Sequence, residues 1–313
     1  MYKIIPLSLK VSPERMEELG TKPKFWFRGS KKLRAMFGGE GRLLFKADER
    51  GTGEDWAEKV ACELCGLLGV PHVHYEMARY VKTGAPGVIC ATCASPEHSA
   101  SLVHGKELLL AIDPDYPVDR PKYKTAKHTV DAVVGALRNM NPPPHYLLGN
   151  LPPGLQTALD VFVGYVLLDA WIANQDRHHE NWAGIQHFED VYLAPTFDHG
   201  AALARNITDN ERKERLNTKD ANYGIAAYAR RGKSAFNVDR DSTRTLTTHA
   251  AWLEFAKFAP AAADIWLERL RTVDEGMTKT VLNNIPPERL SELGKKFTFR
   301  LLCENRDRLL EGK

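Results

Sequence analysis

Two carboxylates and a carboxamide stand close together between Asn174 and Gly200: Asp176, Asn181 five residues on, and Asp198 in Asp198-His199-Gly200. These residue types at this spacing suit the transfer of a phosphoryl group from metal-bound ATP. One carboxylate accepts the proton of the attacking hydroxyl, while the amide and the second carboxylate hold magnesium. Asp and Asn are also ordinary loop residues, because their side chains mimic backbone turns, so one Asp-x-x-x-x-Asn alone says little. Context says more. The apolar run Val161–Leu168 leads into the loop, and Val191–Leu193 brings the chain back to Phe197-Asp198.

The same interval, followed by Asp-x-Gly, is that of kinase catalytic loops. Chemistry of this kind also needs a cation on the phosphates, and the chain offers one upstream. Lys46 ends the apolar strand Leu43–Phe45, and a helix follows with Thr52 as its expected N-cap and Asp55 three residues on. Gly69-Val70-Pro71 supplies the stop. Trp56, Val60, Leu64 and Leu67 fall on one helical face, and Glu58 lies on the other side. A strand lysine followed by a helix glutamate is the pair that orients the α- and β-phosphates. Before it, Phe25-Trp-Phe-Arg-Gly29-Ser30-Lys31-Lys32-Leu33 and the cluster Gly38-Gly39-Glu40-Gly41 read as strand, turn, strand. Backbone N–H groups and ammonium charge place Gly29, Ser30, Lys31 and Lys32 over the ATP phosphates, although a hairpin with solvated lysines fits the same residues.

The 313 residues suffice for two lobes around a cleft, and 43% hydrophobic with 27% charged residues is the composition of a globular protein. A net charge of +3 is too small to argue for nucleic acid. No apolar run reaches the roughly 18–20 residues of a membrane span, and Met1-Tyr-Lys-Ile-Ile has no signal-peptide form. Five cysteines, an odd number, read as thiols, and the cytosol is the expected compartment. Cys62/Cys65 and Cys90/Cys93 have the spacing of a zinc site, but the first pair lies within a capped helix and the second ends a strand.

Along the chain, Ser12–Glu18 is charged and reads as a helical turn. Strands are expected at His74–Val81, Gly87–Thr92, Leu102–Val103 and Glu107–Ile112, as one antiparallel sheet continuing from Lys46. Leu102–Glu107 would link the lobes, with the boundary within 105–112, dividing an ATP-binding lobe at 1–108 from a helical catalytic lobe at 109–313. Helices are expected at Thr129–Met140 and Leu155–Ala173, the second apolar on nearly all sides. Asn206–Ala221 is charged and poorly periodic and reads as a mobile segment. Thr247–Phe258, Ala261–Val273, Gly276–Leu282 and Pro287–Leu310 read as helices. The fold class is α+β: a mainly β small lobe and an all-α large lobe.

These residues resemble the HipA-like serine/threonine kinases, bacterial members of the protein-kinase-like fold. Asn174-Gln-Asp-Arg-His178, Asn181 and Leu193-Ala-Pro-Thr-Phe-Asp198 are similar to that family's Asn-x-Asp-Arg-His-x-x-Asn and Leu-x-Pro-x-Tyr-Asp. Lys46 and Glu58 through Gly69 also match. The resemblance covers roughly residues 25–80 and 155–205. It implies ATP- and Mg-dependent phosphorylation of a protein serine or threonine, with Asp176 as catalytic base, Asn181 and Asp198 as metal ligands and Lys46 with Glu58 as phosphate clamp. Family members often act as toxins that phosphorylate an aminoacyl-tRNA synthetase, restrained by a helix-turn-helix antitoxin. Many autophosphorylate a serine in the phosphate loop, where Ser30 occupies a comparable place. The family's loop is close to Gly-x-Gln-x-Lys, and Arg28-Gly29-Ser30-Lys31-Lys32 departs from it. His199 stands where protein kinases usually carry Phe.

Phosphoinositide kinases share Asp-Arg-His-x-x-Asn, but the chain has no basic amphipathic helix to hold it on a membrane. A small-molecule kinase would carry the same acids. A catalytically silent scaffold is disfavoured because Lys46, Glu58, Asp176, Asn181 and Asp198 are all present.

Overall fold

The computed structural model describes residues 1–8, 11, 14–16, 24–38, 42–48, 51–94, 100–118, 125–147, 151–241 and 244–312. The small lobe is built on strands β1 (Ile5–Leu7), β2 (Arg15–Met16), β3 (Lys24–Phe27), β4 (Leu43–Ala47), β5 (Tyr75–Tyr80) and β6 (Ala85–Ala91). They form one sheet in the order β1-β5-β6-β4-β3-β2, antiparallel except where β1 pairs with β5. A short helix α1 (Lys31–Ala35) lies between β3 and β4, and α2 (Glu54–Leu68) between β4 and β5. Phe25, Phe27, Phe45 and Tyr80 pack on one face of the sheet. Register fixes what the other face carries. Lys24 opposes Lys46, which opposes Val88, and Trp26 opposes Leu44, which opposes Cys90. Side chains alternate along a strand, so these six share the face turned toward the cleft.

The large lobe runs β7 (Ala100–His104), α3 (Gly105–Ile112), α4 (Val130–Leu137), α5 (Ala158–Ile172), β8 (Ala183–His187) and β9 (Asp190–Leu193). It continues with α6 (Asp209–Asn217), α7 (Ile225–Arg231), β10 (Lys233–Asn237), β11 (Thr245–Thr247), α8 (Thr248–Phe258), α9 (Pro260–Thr272), α10 (Glu275–Asn283) and α11 (Glu292–Glu311). Its axis is α5, whose start is fixed by a capping box between Thr157 and Asp160. Apart from Asp160 every residue of α5 is buried, because α8, α9 and α11 surround it. Gly164 leaves room for the Trp266 ring, where a Cβ would collide. No described helix is long and apolar enough to cross a membrane.

Helix α2 is shared between the lobes. Trp56, Ala57, Val60, Ala61, Leu64 and Leu68 belong to the same apolar core as α5, while Cys62 packs with Leu44, Tyr75 and Cys90 of the sheet. Its two ends are also tied to the large lobe. Arg289 Nη1 meets Asp55 Oδ2 at 2.6 Å, and Arg269 Nε donates to the Leu68 carbonyl at 3.0 Å.

Several elements differ from the sequence expectation. The α2 N-cap is Gly53 rather than Thr52: the Asp48 carboxylate accepts from the Thr52 and Gly53 amides and shapes the approach itself. Gly69 ends the helix in the left-handed conformation, as expected. Glu107–Ile112 is helical, within α3, because Lys-Glu-Leu-Leu-Leu-Ala has no β-branched residue before Ile112 and favours helix. Strand β7 pairs with β8 rather than extending the small-lobe sheet. Asn206–Ala221 contains α6, begun by a Thr208 cap and laced by Arg212–Asp209 and Arg215–Glu211 pairs. The large lobe adds two small sheets to its helices. In Ser12–Glu18, Arg15–Met16 is strand and positions 12, 13, 17 and 18 lie outside the described residues.

Candidate active site

Between the lobes lies a cavity of ≈ 520 Å³. Its lining combines apolar side chains, Leu44, Val88, Cys90, Leu102 and Phe197, with polar ones, Lys24, Lys46, Glu58, Asp176, Asn181 and Asp198. An apolar slot beside convergent charges fits a flat base attached to a polyanion.

The Asn174–Asn181 loop is held from below by a residue that the motif does not include. Asp169, buried in the last turn of α5, takes Arg177 in a two-pronged contact, Nε to Oδ2 at 2.8 Å and Nη2 to Oδ1 at 2.7 Å. The same carboxylate accepts the Asn174 side-chain amide at 2.8 Å. Arg177 Nη1 then donates to the Asn181 carbonyl at 2.8 Å. The signal was there: Asp169 is the one acid in the apolar run Val161–Ile172, and a buried acid needs a partner. The chain leaves α5 through Ala173 in the left-handed conformation, and Asn174 stays buried against Asp169 while Asp176 lines the cleft.

Asp176 stands half-buried, with Oδ1 3.5 Å from His178 Nε2. The Asn181 amide nitrogen donates to the Asp176 carbonyl at 2.6 Å, which leaves Asn181 Oδ1 as the oxygen free to meet a cation. Asp198 provides a second hard oxygen in the same cavity. Two oxygen ligands with the remaining positions left to phosphate and water is how magnesium is held at such sites, so these residues fit that ion. Among the described residues no cluster of three His, Cys, Asp or Glu side chains could hold a metal. All five cysteines are free.

Lys46 Nζ lies 3.4 Å from Glu58 Oε1 and 3.1 Å from Asp198 Oδ1. Burial would lower the pKa of this ammonium, but Asp198, Tyr75 and Glu58 around it more than offset that and hold it well above its ordinary value. Burial also pushes Glu58 up against the pull of Lys46. Glu58 Oε2 accepts the His199 amide at 2.9 Å, fixing the start of the Asp198-His199-Gly200 turn to α2. The His199 ring is buried, which holds its pKa well below the usual histidine range, and its Nε2 meets Thr196 Oγ1 at 2.9 Å. A buried imidazole thus fills the place where protein kinases usually carry Phe.

The structure brings Lys46, Glu58, Asp176, Asn181 and Asp198 to one cavity; it does not bring Gly29, Ser30, Lys31 or Lys32 there. These four lie beyond the Phe27–Leu43 end of the β3–β4 hairpin, whereas Lys46 is at its other end. The Ser30 hydroxyl caps α1 by accepting the Leu33 amide at 3.2 Å. Lys24, directly opposite Lys46, does line the cavity. A signal for it was present: Gly20-Thr21-Lys22-Pro23-Lys24 has the glycine-to-lysine spacing of Gly-x-Gln-x-Lys, one strand earlier than the assigned loop. Residues 17–23 lie outside the described residues.

No protein-family model and no curated protein matches the chain. Among solved structures it is similar to the Helicobacter pylori proinflammatory kinase CtkA, with a TM-score of 0.71 at 18% identity over 99% of this chain and 96% of that one. It also aligns with HipA of the Shewanella oneidensis MR-1 toxin–antitoxin complex with HipB and operator DNA. That match has a TM-score of 0.48 at 11% identity, over 95% of this chain and 65% of that one. At such identities the first likeness is one of fold, and the second is too low to argue from. The chain has the two-lobed, protein-kinase-like fold of the Helicobacter pylori structure.

Proposed function

We propose that the protein is an ATP- and Mg-dependent kinase that transfers the γ-phosphoryl group to a hydroxyl. The observation carrying this reading is the convergence, in one cavity, of the Lys46–Glu58 pair, Asp198, Asn181 and Asp176. The residues come from four separate stretches, and a polar loop with no chemical task has no reason to meet such a pair. In this reading Lys46, steadied by Glu58, clamps the α- and β-phosphates. Asn181 Oδ1 and Asp198 would hold magnesium, which neutralises charge on the triphosphate. Asp176 orients the acceptor hydroxyl; as its oxygen bonds to the γ-phosphorus and the bond to ADP breaks, the proton passes to Asp176.

The acceptor we propose is a protein serine or threonine, on the strength of the motif resemblance of Asn174–Asn181 and Leu193–Asp198 to HipA-like kinases. A toxin role, an aminoacyl-tRNA synthetase as target and a helix-turn-helix antitoxin as partner belong to the same resemblance. Two measurements test the reading. A ligand that binds only the folded state stabilises it by mass action, by about 2.7 kcal/mol at a hundred times its Kd. Mg-ATP is therefore expected to raise the melting temperature, and Asp198→Asn to shrink the rise; no rise at millimolar Mg-ATP would contradict it. Incubation with labelled ATP and a cell lysate then shows whether label enters protein, lipid or a small molecule.

A further inference from the structure

Asp198 has a φ of 62°, in the left-handed region that an aspartate adopts at a cost. Such a conformation persists only where neighbours fix it. The following amide, of His199, is held by Glu58 as described. The preceding one, the N–H of Asp198 itself, is directed at the hydroxyl of Tyr75, 3.4 Å away. The same phenol oxygen accepts from Lys46 Nζ at 3.2 Å. One buried hydroxyl thus touches both the phosphate lysine and the backbone of the metal aspartate.

Tyr75 is itself placed with little freedom. It is 2% exposed. Its amide donates to Cys62 Sγ at 3.3 Å and its carbonyl accepts Lys59 Nζ at 3.0 Å, so both backbone groups are held by α2. In β5 it stands opposite Cys90, on the cleft-facing side of the sheet. Burial, followed by the charge on Glu58, raises the phenol's pKa well above its usual value and keeps it neutral. Removing this oxygen would free Lys46 from one partner and leave the Asp198 N–H without its acceptor, in a cavity where lost hydrogen bonds are not cheaply replaced.

We propose that Tyr75 is a positioning residue of the phosphotransfer site, its hydroxyl holding the Asp198 turn and Lys46 in the relative geometry that the metal-bound triphosphate requires. The inference rests on the kinase reading above. Glu58 and Tyr75 then act as a pair of pins on either side of the Asp198–His199 peptide, one from α2 and one from β5.

The test is calorimetric. ATP affinity is measured with magnesium and with EDTA, for the parent and for Tyr75→Phe, which keeps the ring and removes one atom. Groups that orient a metal ligand typically contribute about 10–100-fold in metal affinity. The gain in ATP affinity that magnesium provides is therefore expected to fall by about tenfold in Tyr75→Phe. The metal-free affinity should change less, and the melting temperature by no more than a few degrees. An identical magnesium gain in both proteins would overturn the inference, whether or not the melting temperature falls, since a merely structural role would lower stability alone. Absence of ATP binding by the parent would instead overturn the kinase reading and this inference with it.

Discussion

Two ammonium groups directly opposite each other on one strand pair repel, and Lys24 and Lys46 are so placed on the cleft side of β3 and β4. Lys46 has Glu58 and Asp198 to offset this. Lys24 lines the same cavity, and a triphosphate lying between the two would turn the repulsion into attraction at both. A charge-assisted hydrogen bond is worth about 1.5–3 kcal/mol, so Lys24→Ala is expected to weaken ATP binding by about tenfold or more. Lys31→Ala and Lys32→Ala, both exposed beyond the far end of the hairpin, should stay within about twofold at moderate salt, where surface charges are screened. Calorimetry on the three variants decides it; a larger loss at Lys31 or Lys32 than at Lys24 would return the phosphate site to the loop first assigned. Ser30→Ala removes an N-cap worth about 1 kcal/mol, and intact mass after incubation with ATP shows whether Ser30 also takes a phosphate.

At the scale of elements, α2 decides whether Glu58 reaches Lys46. Arg289 and Asp55 form an ion pair with side chains 5% and 3% exposed, binding the first turn of α2 to the segment before α11. Arg289 Nη2 also donates to the Ala78 carbonyl of β5 at 3.0 Å. Breaking a buried pair by removing one partner costs about 3–5 kcal/mol, because the other charge stays buried. Arg289→Met is expected to lose that much stability in a denaturant titration and to weaken ATP binding through Glu58. Asp55→Asn added to it should restore part of both; no recovery would mean that Arg289 acts through contacts other than Asp55. Nothing in the local sequence announced this pair, whose members are 234 residues apart. The lysine strand, the helix to Gly69, the apolar α5 and the hairpin before Asp198 all follow from periodicity and stop signals in contiguous residues. Misreadings fell where a tertiary partner decides: Leu102–Val103 pairs with Gly184–Ile185, a register no local pattern encodes. Two glycine-and-lysine stretches flank β3, and it is the β3–β4 register, not local pattern, that sets Lys24 opposite Lys46 and leaves Lys31 and Lys32 beyond the far end of the hairpin.

For the molecule as a whole, the account is that two lobes sharing one buried helix bring a phosphate clamp from the sheet to a proton acceptor and metal ligands from the helical side. Asp176 is the residue on which the two functions of the cleft separate. In the proposed reaction its carboxylate would serve the acceptor hydroxyl, whereas Asp198, paired with Lys46, would serve the metal. The most direct measurement is therefore phosphoryl transfer from labelled ATP alongside ATP affinity by calorimetry, for the parent, Asp176→Asn and Asp198→Asn. Loss of a positioned general base typically costs about 10²–10⁴-fold. The account predicts a fall of that order in turnover for Asp176→Asn, with ATP affinity within a few-fold of the parent, and loss of both in Asp198→Asn. Near-parental transfer by Asp176→Asn would contradict it.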